Sequence, residues 1–118
     1  MSAALETARA FEAAWQGKDL ERARSYLADD VAFESPFGRE TTAEATIGQY
    51  AGFAQSVNGP AREVAAFGDD SNALIMSEVA SSVFGRVVSA ACYTVRHGKI
   101  TSEVLVYDAS AARAHQPG

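Results

Sequence analysis

The sequence predicts an α+β domain: three N-terminal helices packed on a strongly curved antiparallel sheet. Three observations predict it. Apolar residues recur at helical spacing as far as Val57, they alternate at strand spacing from Arg62 onward, and short turn-forming groups suited to hairpins separate the extended segments. With 118 residues the chain has room for one core, so residues 1–118 are expected to form a single domain.

Ala4, Ala8, Phe11 and Trp15 lie at i, i+4, i+7 and i+11, one apolar stripe on a first helix that ends at Gly17. Asp19 is placed to cap a second helix that buries Leu20, Ala23 and Leu27 and leaves Glu21, Arg22 and Arg24 in water. The stretch Ala28 to Gly38 is then a helix-to-strand corner: Ala28-Asp29-Asp30 ends the helical pattern, Val31 to Ser35 alternate, and Pro36 with Gly38 turn the chain away. Alternation puts Val31, Phe33 and Ser35 on the face toward any cavity. Thr41 and Glu44 have capping-box spacing for a third helix with the stripe Ile47, Tyr50, Ala54 and Val57, stopped by Asn58-Gly59-Pro60. Strands are expected at Arg62 to Phe67, Ala73 to Ser82, Arg86 to Arg96 and Lys99 to Tyr107, with His97-Gly98 as a two-residue hairpin turn. Asp108 is placed to cap a short helix, Ala109 to Ala114.

The composition narrows the function. Ten Lys and Arg against fifteen Asp and Glu give a net charge of −5 with no basic stripe, which argues against nucleic-acid binding. No apolar run approaches the ~20 residues of a spanning helix, and the first residues have no basic region followed by an apolar block, so a cytoplasmic protein away from the membrane is expected. Cys92 is alone in a strand-like run, which rules out a disulfide framework and suits a buried, inert thiol. No His, Cys, Asp or Glu spacing suggests a metal site, and there is no Gly-rich phosphate loop, so neither metal nor cofactor is expected.

Asp19-Leu20-Glu21 through Ala28-Asp29-Asp30, then Glu34-Ser35-Pro36-Phe37-Gly38, then Gly98-Lys99-Ile100 resemble the ketosteroid-isomerase-like, or nuclear transport factor-like, superfamily, and within it the SnoaL-like polyketide cyclases. The resemblance runs from Ala4 to about Asp108. It implies that the sheet and helices form a cone holding a small, mostly apolar internal pocket. In the steroid isomerases such a corner carries an aspartate base before the Pro-Phe-Gly, and a tyrosine and an aspartic acid donate to the substrate oxygen. Matched residue by residue, these positions hold Ser35, Phe11 and Ala91 here, so the steroid isomerase trio is absent. Nor is there the Asp-Arg-Asp set of limonene-epoxide-hydrolase-like enzymes.

The resemblance implies a pocket lined by Phe11, Trp15, Phe33, Ser35, Tyr50, Ser77, Ser89, Tyr93, Leu105 and Tyr107, a lining suited to a small apolar or aromatic molecule. Glu103 is the carboxylate that both the alternation and the resemblance aim inward, and burial there would raise its pKa toward that of a general acid or base; at a rim beside Lys99 or Arg96 it would instead be an ordinary ion pair. Tyr93 and Tyr107 could donate to a ligand or only fill the core, and Ser35 has no nearby base to make it a nucleophile. Two functions follow: an isomerase, cyclase or hydrolase working by acid/base chemistry, with Glu103 as catalytic residue, or a non-catalytic ligand-binding or dimerisation module. The outer row Val88, Ala90, Cys92 and Thr94 is apolar enough to predict a homodimer through the outer face of the sheet.

Overall fold

In the computed structural model, which describes residues 2–110, the stripe that begins at Ala4 forms the first helix, α1 (Ala3–Gln16), and buries Phe11 completely. It is followed by α2 (Leu20–Ser25), β1 (Leu27–Ser35), β2 (Gly38–Glu40), α3 (Ala43–Ser56), β3 (Val57–Gly68), β4 (Asn72–Ser81), β5 (Gly85–Arg96) and β6 (Lys99–Tyr107). The helices pack against one six-stranded sheet of order β2-β1-β6-β5-β4-β3, which is open, with β2 and β3 as its edges. The α+β class follows. The third helix, however, comes after the first two strands, and the sheet is mixed, because β1 pairs parallel with β6 while every other pair is antiparallel. No hairpin joins β1 to β6. Their direction is set where Ile100 N–H donates to the Tyr26 carbonyl at 2.8 Å, just before Leu27 registers with Ile100.

Several boundaries differ from the sequence reading. Helix α2 stops at Ser25, so Leu27 and Ala28-Asp29-Asp30 belong to β1; Leu27 is buried as a strand residue, with Asp29 and Asp30 exposed beyond it. The side chain that caps α3 is that of Thr42, which accepts from Ala45 N–H at 3.2 Å, and not that of Thr41. Thr42→Ala should cost about 1 kcal/mol in urea denaturation, whereas Thr41→Ala should stay within about 0.5 kcal/mol. Helix α3 has already ended at Ser56, so Asn58-Gly59-Pro60 does not stop it but forms the irregular start of β3, where the register with β4 shifts between Asn58 and Arg62. Proline is tolerated because β3 is an edge.

The β5–β6 turn has φ of 53° at His97 and 74° at Gly98, the pair of positive angles that a tight primed hairpin requires. The β3–β4 turn serves α1: Ala4 N–H donates to the Asp69 carbonyl and Ala3 N–H to Asp70 Oδ1, so loop oxygens satisfy helix-start amides. Gly68 permits that approach, since a Cβ there would stand 2.9 Å from the Asn72 carbonyl oxygen and 3.1 Å from the Leu5 Cβ.

The core lies between α1, α3 and one face of the sheet. Cross-strand register sets that face in rows: Ala73, Tyr93, Glu103 and Phe33; then Ile75, Ala91 and Leu105; then Ser77, Ser89 and Tyr107. The opposite face carries Leu74, Cys92 and Val104, then Met76, Ala90 and Val106, and no helix among the described residues covers it. Cys92 is therefore exposed and not buried: its strand is half apolar on the uncovered side. Asp108 Oδ1 accepts from Ser110 N–H at 2.9 Å; the rest of the expected terminal helix, and His115, lie outside the described residues. No helix among the described residues is long and apolar enough to cross a membrane.

Candidate functional site

Between α1, α3 and the covered face of the sheet runs a cleft. Of the residues expected to line it, Trp15, Phe33, Tyr50, Ser77, Ser89, Leu105 and Tyr107 do so, joined by Glu12, Gln49, Phe53, Val79 and Val87. Phe11 and Tyr93 are fully buried behind this wall, where Phe11 packs edge-on against Tyr50 and Tyr93 at centroid distances of 5.1 and 6.1 Å. Phe53, Phe84 and Tyr107 contact one another at 5.5–6.1 Å, and the half-exposed Phe37 joins Phe84 and Tyr107.

Ser35 lies beside the cleft in a chain of hydrogen bonds. Phe37 N–H donates to Ser35 Oγ at 3.1 Å, Ser35 donates to Gln49 Oε1 at 3.0 Å, and Gln49 Nε2 donates to Glu40 Oε2 at 2.8 Å. The amide nitrogen of Gln49 thus faces Glu40 and its amide oxygen faces Ser35. One N–H of Gln49 remains for another acceptor. At the corner position matching the steroid isomerase base, the chain thus has Ser35, hydrogen-bonded to the oriented amide of Gln49 on α3.

The charged chemistry lies on the other side of the cleft. Glu103 is fully buried, flanked across the strands by Tyr93 and Phe33, and the Tyr50 hydroxyl donates to its Oε2 in a short hydrogen bond, while its Oε1 has no partner. Burial pushes its carboxyl up to about 8, opposed by the Tyr50 hydrogen bond and reinforced by the nearby Glu12. Neither Lys99 nor Arg96 pairs with it; Lys99 Nζ instead donates to the Ser25 carbonyl. A buried carboxyl with one unpartnered oxygen is far less costly neutral than ionised, which agrees with a raised pKa.

Glu12 went unnoticed in the sequence. It lies four residues after Ala8 and three before Trp15, on the apolar stripe of α1, and that is the signal that could have found it. Its Oε2 accepts from the Tyr93 hydroxyl at 2.6 Å and its Oε1 from Ser77 Oγ at 3.2 Å. Burial raises its carboxyl to about 7 against the pull of these two donors. Both tyrosines are held well above their ordinary range, first by burial and then by the adjacent carboxyls, so they stay protonated donors. Outside the cleft Glu78 behaves oppositely: Arg86 and Arg62 donate to it and hold its carboxyl down to about 2.

The arrangement thus supplies one proton acceptor bordering the cleft and one neutral acid behind a tyrosine that borders it. No group of three or more His, Cys, Asp or Glu among the described residues could hold a metal ion.

The chain matches the model of the SnoaL-like domain over residues 8–103. Among solved structures it is similar to a protein from Kribbella flavida DSM 17836, at 28% identity over 93% of this chain and 90% of that one, with a TM-score of 0.89. A candidate ketosteroid isomerase from the same organism aligns at 19% identity over 98% and 82% of the two chains with a TM-score of 0.74. An M. tuberculosis LEH-like epoxide hydrolase aligns at 20% identity over 95% and 87% with a TM-score of 0.71. No curated protein matches. Over most of its length, and in the helix, corner and sheet that frame the cleft, this chain belongs to the SnoaL-like domain family.

Proposed function

We propose that this protein is a cofactor-independent isomerase, cyclase or hydrolase that uses acid/base chemistry on a small apolar cyclic compound held in the cleft, the internal pocket of a cone. The observation that carries this reading is Glu12: a carboxyl lining an apolar cleft, with both oxygens held by donors and a pKa brought to about 7. A base of that strength is about half ionised at neutral pH and can both take and return a proton. Glu103 acts through Tyr50. As a neutral acid it can donate its own O–H to the tyrosine oxygen in place of accepting from it, which frees the tyrosine hydrogen to stabilise negative charge that develops on a ligand oxygen. The roles at Ser35, Phe11 and Ala91 in the steroid isomerase pattern are thus taken from other elements, α1 for the base and α3 with β6 for the donor.

The test needs no knowledge of the natural substrate. 2-Tetralone, a bicyclic ketone, loses an α-proton to a base and regains a deuteron in heavy water. The protein should accelerate this exchange, followed by proton NMR, above the rate in buffer, with the acceleration rising as pH passes through about 7. Binding of 2-tetralone without acceleration would leave a ligand-binding module and remove the enzymatic reading.

The partner on the uncovered side is a second copy of the chain. Leu74, Val88, Cys92, Val104 and Val106 form an exposed apolar surface on that face, with the Arg62, Glu78 and Arg86 ion pairs beside it. Light scattering at micromolar concentration should give twice the chain mass. Cys92→Arg should give a monomer with the same titration of Glu12; an unchanged mass would place the contact elsewhere.

A further inference from the structure

A second cavity lies on the far side of Glu12, between α1 and the β3–β4 edge of the sheet. Arg9, Gln16, Glu63, Ala61 and Ala13 line it, and Glu12 and Ser77 line both this cavity and the apolar cleft. The two spaces differ in character. The cleft is walled chiefly by aromatic and aliphatic side chains, whereas half of the residues lining the second cavity, Arg9, Glu12, Gln16 and Glu63, are charged or amide, beside Ser77 and the apolar Ala13, Ala61 and Ile75. Its solvent side carries the Arg9 and Glu63 pair, which reaches from α1 to β3 with two hydrogen bonds of 3.0 Å while both side chains stay about half exposed. Water enters cavities that offer it two to four polar partners and leaves apolar ones dry. By that rule the second cavity holds water against Glu12, and a ligand-filled cleft does not.

We infer that this second cavity is a water and proton port: it connects Glu12 to solvent from behind, so the carboxyl can exchange its proton while a ligand closes the cleft in front. The inference rests on the reading of Glu12 as the acid/base group. An acid/base residue sealed in by its substrate must return the same proton it took. One with a rear port can release that proton to water or draw water to its oxygens, which are the needs of a hydrolase or of a cyclase that exchanges protons with solvent. Within the buried cluster Glu12 is the group that solvent reaches, with 9% of its surface exposed while Glu103 and Tyr93 keep none. The groups acting on Glu12 from the surrounding elements are Tyr93 on β5, Ser77 on β4, Glu63 on β3, Tyr50 on α3 and Glu103 on β6. Among these, Glu63 stands across the second cavity with its charge already paired to Arg9.

The test fills each space in turn and reads the Glu12 carboxyl by carbon-13 NMR titration. Ala13→Phe and Ala61→Phe intrude on the second cavity, and Ser89→Leu intrudes on the cleft alone. Ala13 is exposed on its helix and accepts a larger side chain without disturbing the core, which guards against a misfolded variant. Replacing the hydration of Glu12 should raise its pKa, so the two rear variants are expected to shift it upward by about one unit, tenfold in proton affinity, with Ser89→Leu moving it less. A larger shift from Ser89→Leu than from either rear variant would overturn the port. Because this readout follows hydration and not turnover, a failure of 2-tetralone exchange would remove the catalytic reading and leave the port standing, and the reverse also holds.

Discussion

Glu12→Gln is expected to bring 2-tetralone exchange down to the rate in buffer, a loss of at least about 100-fold, which is the usual scale for removing a positioned general base. The substitution keeps the size of the side chain; its amide oxygen can accept from Tyr93 and its amide nitrogen can donate to Ser77 Oγ, so the fold and the cleft should survive. Glu103→Gln should behave differently. It leaves the base in place and removes only the acid behind Tyr50, so exchange should fall yet stay above buffer, and its dependence on Glu12 ionisation should persist. If Glu103→Gln abolishes exchange and Glu12→Gln spares it, the two roles are reversed and the base is the residue that the alternation of β6 points to.

The second large effect is on stability, and its sign is opposite to that of most carboxylates. Glu103 and Glu12 ionise at about 4.5 when unfolded but near 8 and 7 in the folded protein. Between those values the folded chain holds protons that the unfolded chain has lost, so stability is complete below pH 4.5 and declines as pH rises. Each group contributes a slope of about 1.4 kcal/mol per pH unit within its window. Urea midpoints should therefore fall between pH 5 and pH 8, steeply while both groups are titrating and less so above pH 7, where only Glu103 still responds. Glu103→Gln should flatten this profile by the share of one group. A wild-type midpoint that is level or rising from pH 5 to pH 8 would mean that neither carboxyl is buried as a neutral acid.

The fold was legible because its signals are local and periodic. Alternation separates the two faces of β4, β5 and β6, the resemblance says which of them turns inward, and His97-Gly98 announces its turn by the backbone angles it tolerates. The boundary errors share one cause. Leu27 and Asn58-Gly59-Pro60 were assigned from the helix beside them, yet their conformation is set by strand partners distant in sequence, Ile100 for Leu27 and Ala80 for Asn58. The parallel pairing of β1 with β6 could not be read locally at all, since no turn encodes it. The site was half legible for the same reason. Glu103 stands out in an alternating strand, but Glu12 sits among Phe11, Ala13 and Trp15 on a helix, where a single glutamate reads as one more wet position until Tyr93 and Ser77 are brought against it from strands more than sixty residues away.

The position of β6 has a consequence for how the molecule comes into being. The last strand among the described residues is an interior strand of the sheet, inserted between β1 and β5. Until residues 99–107 have left the ribosome, two strand edges that are both internal in the finished protein stand open, each a template for another chain. Closing them joins Leu27 to Ile100 across most of the sequence, a contact of the long-range kind that slows folding. Glu103 travels on that strand, so the cluster with Tyr50, Tyr93 and Glu12 is completed by the same insertion that seals the sheet. Insertion of this strand completes the carboxyl and tyrosine cluster and closes two open strand edges in one event.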